Sequence, residues 1–157
     1  MTTPRGLTAE DLTIGERTDI GSYTPSMAEI IQFAEQWDPQ LFHIDVEVAE
    51  AGYFGGIIGS GLHSLSIFQR LSVLNLYREW EVIAGRRIHD IQFTTPLRPG
   101  VTVQGSVTVE AVVATHPERA LVTTRGELHT ADGGSILTIV ADSYVRRRQA
   151  APAPLGR

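Results

Sequence analysis

The segment LHSLSIFQRLSVLNLYREW (62–80) narrows the fold more than any other. On a helix, Leu62, Leu65, Ile67, Phe68, Leu71, Val73, Leu74, Leu76, Tyr77 and Trp80 cover most of the circumference. A helix apolar on nearly every side has to be enclosed by protein, so a central helix is predicted here. The material to enclose it follows, where the period of the apolar pattern changes to two. In VTVQGSVTVEAVV (101–113), Val101, Val103, Val107, Val109, Ala111 and Val113 alternate with Thr102, Gln104, Ser106, Thr108 and Glu110, the pattern of a strand with one buried face. The turn signals HPER (116–119) and ADGG (131–134) separate ALVTTRGELHT from SILTIVADSYVRR, and RRIHDIQFTTPLRPG (86–100) supplies an earlier strand and a proline-rich corner. These segments read as an antiparallel meander. With a short strand in GERTDIGSYTPS (15–26), the prediction is α+β, one antiparallel sheet of about five strands curled round one long helix. Such a sheet leaves two edges, and pairing an edge between copies protects it, so a homodimer is expected.

Composition sets limits on function. At 157 residues the chain has the size of one domain, expected over 1–148, with QAAPAPLGR (149–157) read as a disordered tail. No window approaches the ~18 continuous apolar residues of a membrane span, and the start MTTPRGLTAEDL lacks the pattern of a secretory signal, so a cytoplasmic protein without membrane association is expected. With no cysteine there is neither a disulfide nor a thiol nucleophile, and a zinc site would rest on His and carboxylates alone. A net charge of −5, with Arg146, Arg147 and Arg148 as the only basic run, disfavours nucleic acid as a partner.

The chemistry concentrates in QWDPQLFHID (36–45). A helix is expected from about residue 25, where Thr24 and Pro25 offer one start and Ser26 with Glu29 offers a capping box one step later. Ile30, Phe33, Ala34 and Trp37 fall at helical spacing, and Pro39 disfavours helical geometry at the residue before it, so the helix should stop at Asp38. Asp45 reads as the N-cap of a further short helix closed by Gly52. Between them, residues 39–42 are expected to form a loop that doubles back and aims Asp38 and His43 at one point. An acid and a base converging on one water are what reversible addition of water to a polarised double bond requires. A conjugated thioester carbonyl would also need a donor for its developing enolate oxygen. The glycine-rich YFGGIIGSG (53–61) runs into the central helix, which makes the N–H of Gly61 the natural one.

FAEQWDPQLFHIDVEVAEAGYFGGIIGSGLHS (33–64) resembles the hydratase signature of the MaoC-like dehydratases, the R-specific enoyl-CoA hydratase group with the hot-dog fold. The order of elements, with PLRPG (96–100) at the corner, extends the likeness over roughly residues 10–148. The resemblance implies that Asp38 and His43 share the attacking water, that Gly61 forms the oxyanion hole, and that trans-2-enoyl and (R)-3-hydroxyacyl thioesters of coenzyme A or acyl carrier protein are interconverted. It implies no metal or redox cofactor. The chain departs from the commonest pattern in two places. Gln40, Leu41 and Phe42 stand where Asn-Pro-Leu is usual, with the proline moved to 39, and Val101 replaces an aspartate after the corner. Gln40 is expected to orient the loop through its amide. A non-catalytic acyl-thioester-binding subunit and a hot-dog thioesterase stay open as alternatives.

Other polar residues read more plainly. Ser60 is a secondary substrate-binding candidate or a cap, and His63 a packed helix residue. His89, His116 and His129 lack ligand-like spacing. Arg86, Arg87 and Arg98 are either phosphate contacts or solvated surface, and Phe33, Trp37, Phe54 and Phe68 are core or acyl-pocket lining.

Overall fold

A computed structural model describes residues 6–149. Of the tail read as disordered, residues 150–157 lie outside the described part. Five strands, β1 (Arg17–Tyr23), β2 (Val82–Phe93), β3 (Val103–His116), β4 (Arg119–Thr130) and β5 (Ser135–Arg146), form one sheet in the order β1-β3-β4-β5-β2. Every pairing is antiparallel. β3, β4 and β5 form the expected meander. β2 does not join it in sequence order but crosses to pair with β5 at the far edge.

The helices are α1 (Met27–Trp37), α2 (Leu41–Ile44), α3 (Val46–Ala51) and the long α4 (Gly61–Asn75). α1 begins one step later than its first start signal, because Ser26 and Glu29 form the capping box. α4 is shorter than its apolar run. Where it ends, the amide of Asn75 donates to Leu71 O and to Ile20 O of β1, and a 3-10 turn over Tyr77–Glu79 follows. Ile67, Phe68 and Leu71 of α4 pack on Ile20, Val107, Leu128, Leu137 and Ile139 from the sheet. Each such side chain, fully buried, contributes about 1.5–3 kcal/mol. Gly126 admits the closest approach, since a Cβ there would lie 2.1 Å from the Phe68 ring. This arrangement of a five-stranded antiparallel sheet with one long helix against it is the hot-dog layout.

Two expectations change. α4 is enclosed on one side only within a single chain, and Leu62, Val73 and Leu74 on its other face are exposed, because five strands cover just one side of the helix. Along β3 the strict alternation fails beyond Val109. A bulge at Glu110 shifts the register between Val109 and Ala111, so Val112 packs inward and Val113 is 53% exposed.

β2 carries three such irregularities, placing Ile83, Arg86 and His89 out of register with β5. Bulges bend and twist a strand, and here they curl the edge of the sheet. A groove of about 950 Å³ lies between α4 and β2, lined by Leu65, Val73, Tyr77, Val82, Ile88 and Ile139 among others. Among the described residues no helix is long and apolar enough to cross a membrane.

Candidate active site

Asp38 ends α1. Its N–H still donates to Ala34 O at 2.9 Å, while its backbone has left the helix (φ −156°, ψ 69°), as the following proline requires. The chain then re-enters a helix sooner than a loop reading of residues 39–42 allows. Leu41–Ile44 form one turn, in which His43 N donates to Gln40 O at 2.8 Å. His43 therefore rides on a helical turn, and Phe42 meets its ring edge-on at 4.3 Å. Asp45 caps α3 by accepting from Val48 N at 3.0 Å, and Gly52 ends α3 without left-handed geometry (φ −86°).

The segment before α4 holds the other half of the site. Ile57 packs with Ile30 and Ala49, and Gly59 N donates to Leu97 O at 2.7 Å, which fixes the carbonyl of Ile58 between α1 and the corner. His43 is buried, with Nδ1 2.6 Å from Ile58 O. A carbonyl only accepts, so Nδ1 carries the proton and Nε2 of the neutral ring is a lone pair. That Nε2 faces Asp38 Oδ2 at 3.4 Å.

Three groups act on the Asp38 carboxylate. Ser60 Oγ donates to Oδ2 at 2.7 Å, Gln40 Nε2 donates to Oδ1 at 2.9 Å, and His43 lies alongside. The Ser60 hydroxyl first, then the Gln40 amide, hold the carboxyl below its ordinary value against partial burial, with a smaller contribution from His43. Ser60 is 1% exposed and also caps α4, accepting from Leu62 N at 3.2 Å. The backbone N–H groups of His63 and Ser64 are taken by Ser60 O. Of the first turn of α4 this leaves the N–H of Gly61 with no helical acceptor. The Phe93 ring lies so close to Gly61 that a Cβ there would stand 2.9 Å from three ring atoms.

Ser60 and Gln40 thus hold Asp38 by hydrogen bonds, the His43 ring held on Ile58 O stands 3.4 Å from the same carboxylate, and Gly61 follows Ser60 at the helix start. His63 stacks on Phe33 at 4.5 Å, and burial lowers its pKa. Arg98 donates to Phe54 O at 2.8 Å beside the site, while Arg86 and Arg87 line the α4–β2 groove. A second polar group escaped the sequence reading. Asp142 on β5, buried, accepts from Thr123 on β4 at 2.7 Å and meets His89 Nε2 on β2 at 2.5 Å. Among the described residues no group of three or more His, Asp or Glu is arranged to hold a metal ion.

Residues 10–131 match the family model for the MaoC like domain. The chain belongs to the MaoC-like domain family. The match holds Asp38, His43, Gln40, Ser60 and Gly61 and stops before β5. A curated relative, the uncharacterized protein YdeM of Bacillus subtilis, is 34% identical over 90 residues, covering 57% of this chain and 64% of that protein. The chain therefore spans less than two thirds of that relative's length. Among solved structures, the MaoC-like dehydratase from Rhodospirillum rubrum is 33% identical (TM-score 0.80, covering 92% of this chain and 100% of that one). A monoamine oxidase regulatory protein from Archaeoglobus is 28% identical (TM-score 0.82, 91% and 96%). The R-hydratase PhaJ1 from Pseudomonas aeruginosa, 15% identical with a TM-score of 0.70 over 97% of each chain, shares the MaoC-like fold.

Proposed function

We propose that this MaoC-like protein is a hydratase/dehydratase that interconverts trans-2-enoyl and (R)-3-hydroxyacyl thioesters, with Asp38 and His43 acting on one water. The observation that carries the reading is the approach of His43 Nε2 to Asp38 Oδ2, 3.4 Å apart, with the Nδ1 side of the ring held on Ile58 O. In the neutral tautomer both atoms are acceptors, and a water that donates to each satisfies them together.

The chemistry then divides between them. The Ser60 and Gln40 hydrogen bonds hold the Asp38 carboxylate below its ordinary range, which makes it a weak base and a fixed acceptor. Asp38 orients the water, and His43 Nε2 takes its proton as the oxygen adds to the β-carbon of the enoyl thioester. The electron pair of the double bond moves onto the thioester oxygen, where the Gly61 N–H and the positive end of α4 stabilise it. The imidazolium, beside the Asp38 carboxylate and with Nδ1–H still on Ile58 O, returns the proton to the α-carbon. One water is added and both side chains end as they began. The 33% identity to the MaoC-like dehydratase from Rhodospirillum rubrum supports this reaction class.

A homodimer paired along β2 accompanies this reading. Val82, Ile83, Ile88 and Phe93 on that edge and Leu62, Val73 and Leu74 on α4 are large apolar side chains left exposed by one chain. Phe93, the neighbour of Gly61, belongs to that edge, so a partner there would close the site.

The test is incubation with crotonyl-CoA and longer enoyl-CoA thioesters. The expected outcome is loss of the conjugated-thioester absorbance with formation of the (R)-3-hydroxyacyl product. Release of free thiol without hydration would instead identify a thioesterase, and binding without turnover a non-catalytic subunit.

A further inference from the structure

We infer that His63 is a proton-sensitive pin between the helix that ends at Asp38 and the helix that begins at Gly61, a positioning residue for the hydration proposed above, on which its kinetic consequence rests. Beside the site, α1 meets α4 through the Ser60 hydroxyl on Asp38 and through the His63 ring, which lies face to face on Phe33 with centroids 4.5 Å apart and planes within 6°. Phe33 stands five residues before Asp38 on α1, and His63 two residues after Gly61 on α4. The stack therefore seats the carboxylate against the helix start. His63 is 8% exposed, and among the described residues its Nδ1 is the one buried side-chain nitrogen or oxygen with no hydrogen-bond partner in the chain.

A neutral imidazole tolerates this place, with the lone pair on Nδ1 and the proton on Nε2. An imidazolium does not, because both nitrogens then donate and the chain offers Nδ1–H no acceptor. The carboxylate that acts on the ring is Glu29 of α1, and both of its oxygens are engaged, Oε1 by the Tyr23 hydroxyl of β1 and Oε2 by the Ser26 N–H at 2.7 Å. Arg70, further along α4, acts on Tyr23 and adds positive charge to the same seam. The face of Phe33 attracts an imidazolium, but by less than burial costs the charge. Burial accordingly holds His63 below its ordinary value of 6.5, against the pull of Glu29. To become charged the ring has to leave Phe33 for water or for Glu29, and α1 then loses its seat on α4. Asp38 shifts from Ser60 and from the helix start that bears Gly61. A histidine depressed in the folded state adds stability that is complete above pH 6.5 and is lost as pH falls toward the folded value.

The experiment compares the full-length wild type with His63→Phe, which keeps the aromatic stack without a titrating nitrogen, and with His63→Ala, which removes the stack. Urea unfolding and kcat on crotonyl-CoA are followed from pH 8 to pH 5, and the ring signals of His63 and Phe33 in the wild type are titrated by NMR. His63 should titrate below pH 6.5, with the Phe33 signals moving at the same midpoint. The urea midpoint of His63→Phe should rise relative to wild type as pH falls from 7 to 5. Its kcat should lie within about threefold of wild type at pH 7 and fall about fivefold less on going to pH 5, whereas His63→Ala should lose about tenfold in kcat at pH 7 with little change in KM. Phe33 signals that stay fixed while His63 titrates overturn the inference, and wild-type spectra decide this even where a variant does not fold. Parallel loss of stability and of kcat on acidification in wild type and His63→Phe overturns it as well. A chain that hydrates no thioester but shows the shared midpoint and the widening stability gap upholds the pin and removes the hydratase reading instead.

Discussion

Ser60 Oγ donates at 2.7 Å to Asp38 Oδ2, the carboxylate oxygen that faces His43. The same hydroxyl oxygen caps α4, so the helix that presents Gly61 and the carboxylate that orients the water are tied through one atom. Removing it should disturb both. Ser60→Ala is expected to lower kcat about 10–100-fold on crotonyl-CoA with little change in KM, as loss of an orienting group does. It should also lower stability by about 1 kcal/mol through the lost cap. Steady-state kinetics beside denaturant unfolding checks both, and a kcat within twofold of wild type contradicts the orienting role.

Gly61 sits under the Phe93 ring, where a Cβ would stand 2.9 Å from ring atoms that include Cγ. A folded Gly61→Ala requires the Phe93 ring, half exposed in one chain, to shift. The methyl group would crowd the N–H that the mechanism needs, and kcat/KM is expected to fall by about 100-fold, the scale of losing one oxyanion donor. Circular dichroism with kinetics tests this, and a fully active Gly61→Ala would show that the space beside the Gly61 N–H is not needed by the substrate.

Burial pushes the Asp142 carboxyl up, but the hydrogen bonds from Thr123 and His89, with the charges of His89 and Arg86, outweigh it and leave the group below its ordinary value of 3.8. A carboxylate depressed in the folded state stabilises the fold above its unfolded pKa, and that stability is lost as pH falls through the folded value. Asp142→Asn should therefore destabilise the protein by about 2 kcal/mol at pH 7, with the gap closing as pH drops below about 4. Urea unfolding at pH 7 and pH 3 measures it. An equal gap at both values rules out the charged pair as the cause.

Ile88 is 50% exposed on β2 and lines the groove beside α4. If two copies pair there, Ile88→Arg places a charge in an apolar contact and should convert a dimer into a monomer at micromolar concentration, read by light scattering. A wild-type monomer under the same conditions contradicts the assembly.

Features set by near neighbours were legible in the sequence. Pro39 acts on the residue before it, so the stop at Asp38 could be read, and the caps at Ser26 and Asp45 depend on residues three positions on. The turn that carries His43 was not legible, because four residues are too few for a periodic signal and Pro39 pointed toward a loop. The bulge at Glu110 reversed the alternation that identified β3, since one inserted residue moves every later side chain to the other face. His89 and Asp142 lie 53 residues apart and meet only because β2 crosses to β5. The apolar circumference of α4 was read correctly as composition, but periodicity states what a face requires and not which chain supplies it.

The central claim is that Asp38 and His43 act together on one water. The most direct measurement is kcat for crotonyl-CoA hydration by wild type, Asp38→Asn, His43→Ala and the double variant. Each single change should reduce kcat by about 10²–10⁴-fold, and the double variant should be little worse than the more damaging single one, as residues acting as a unit behave. Near-wild-type rates in either single variant, or losses that simply multiply in the double, would contradict it.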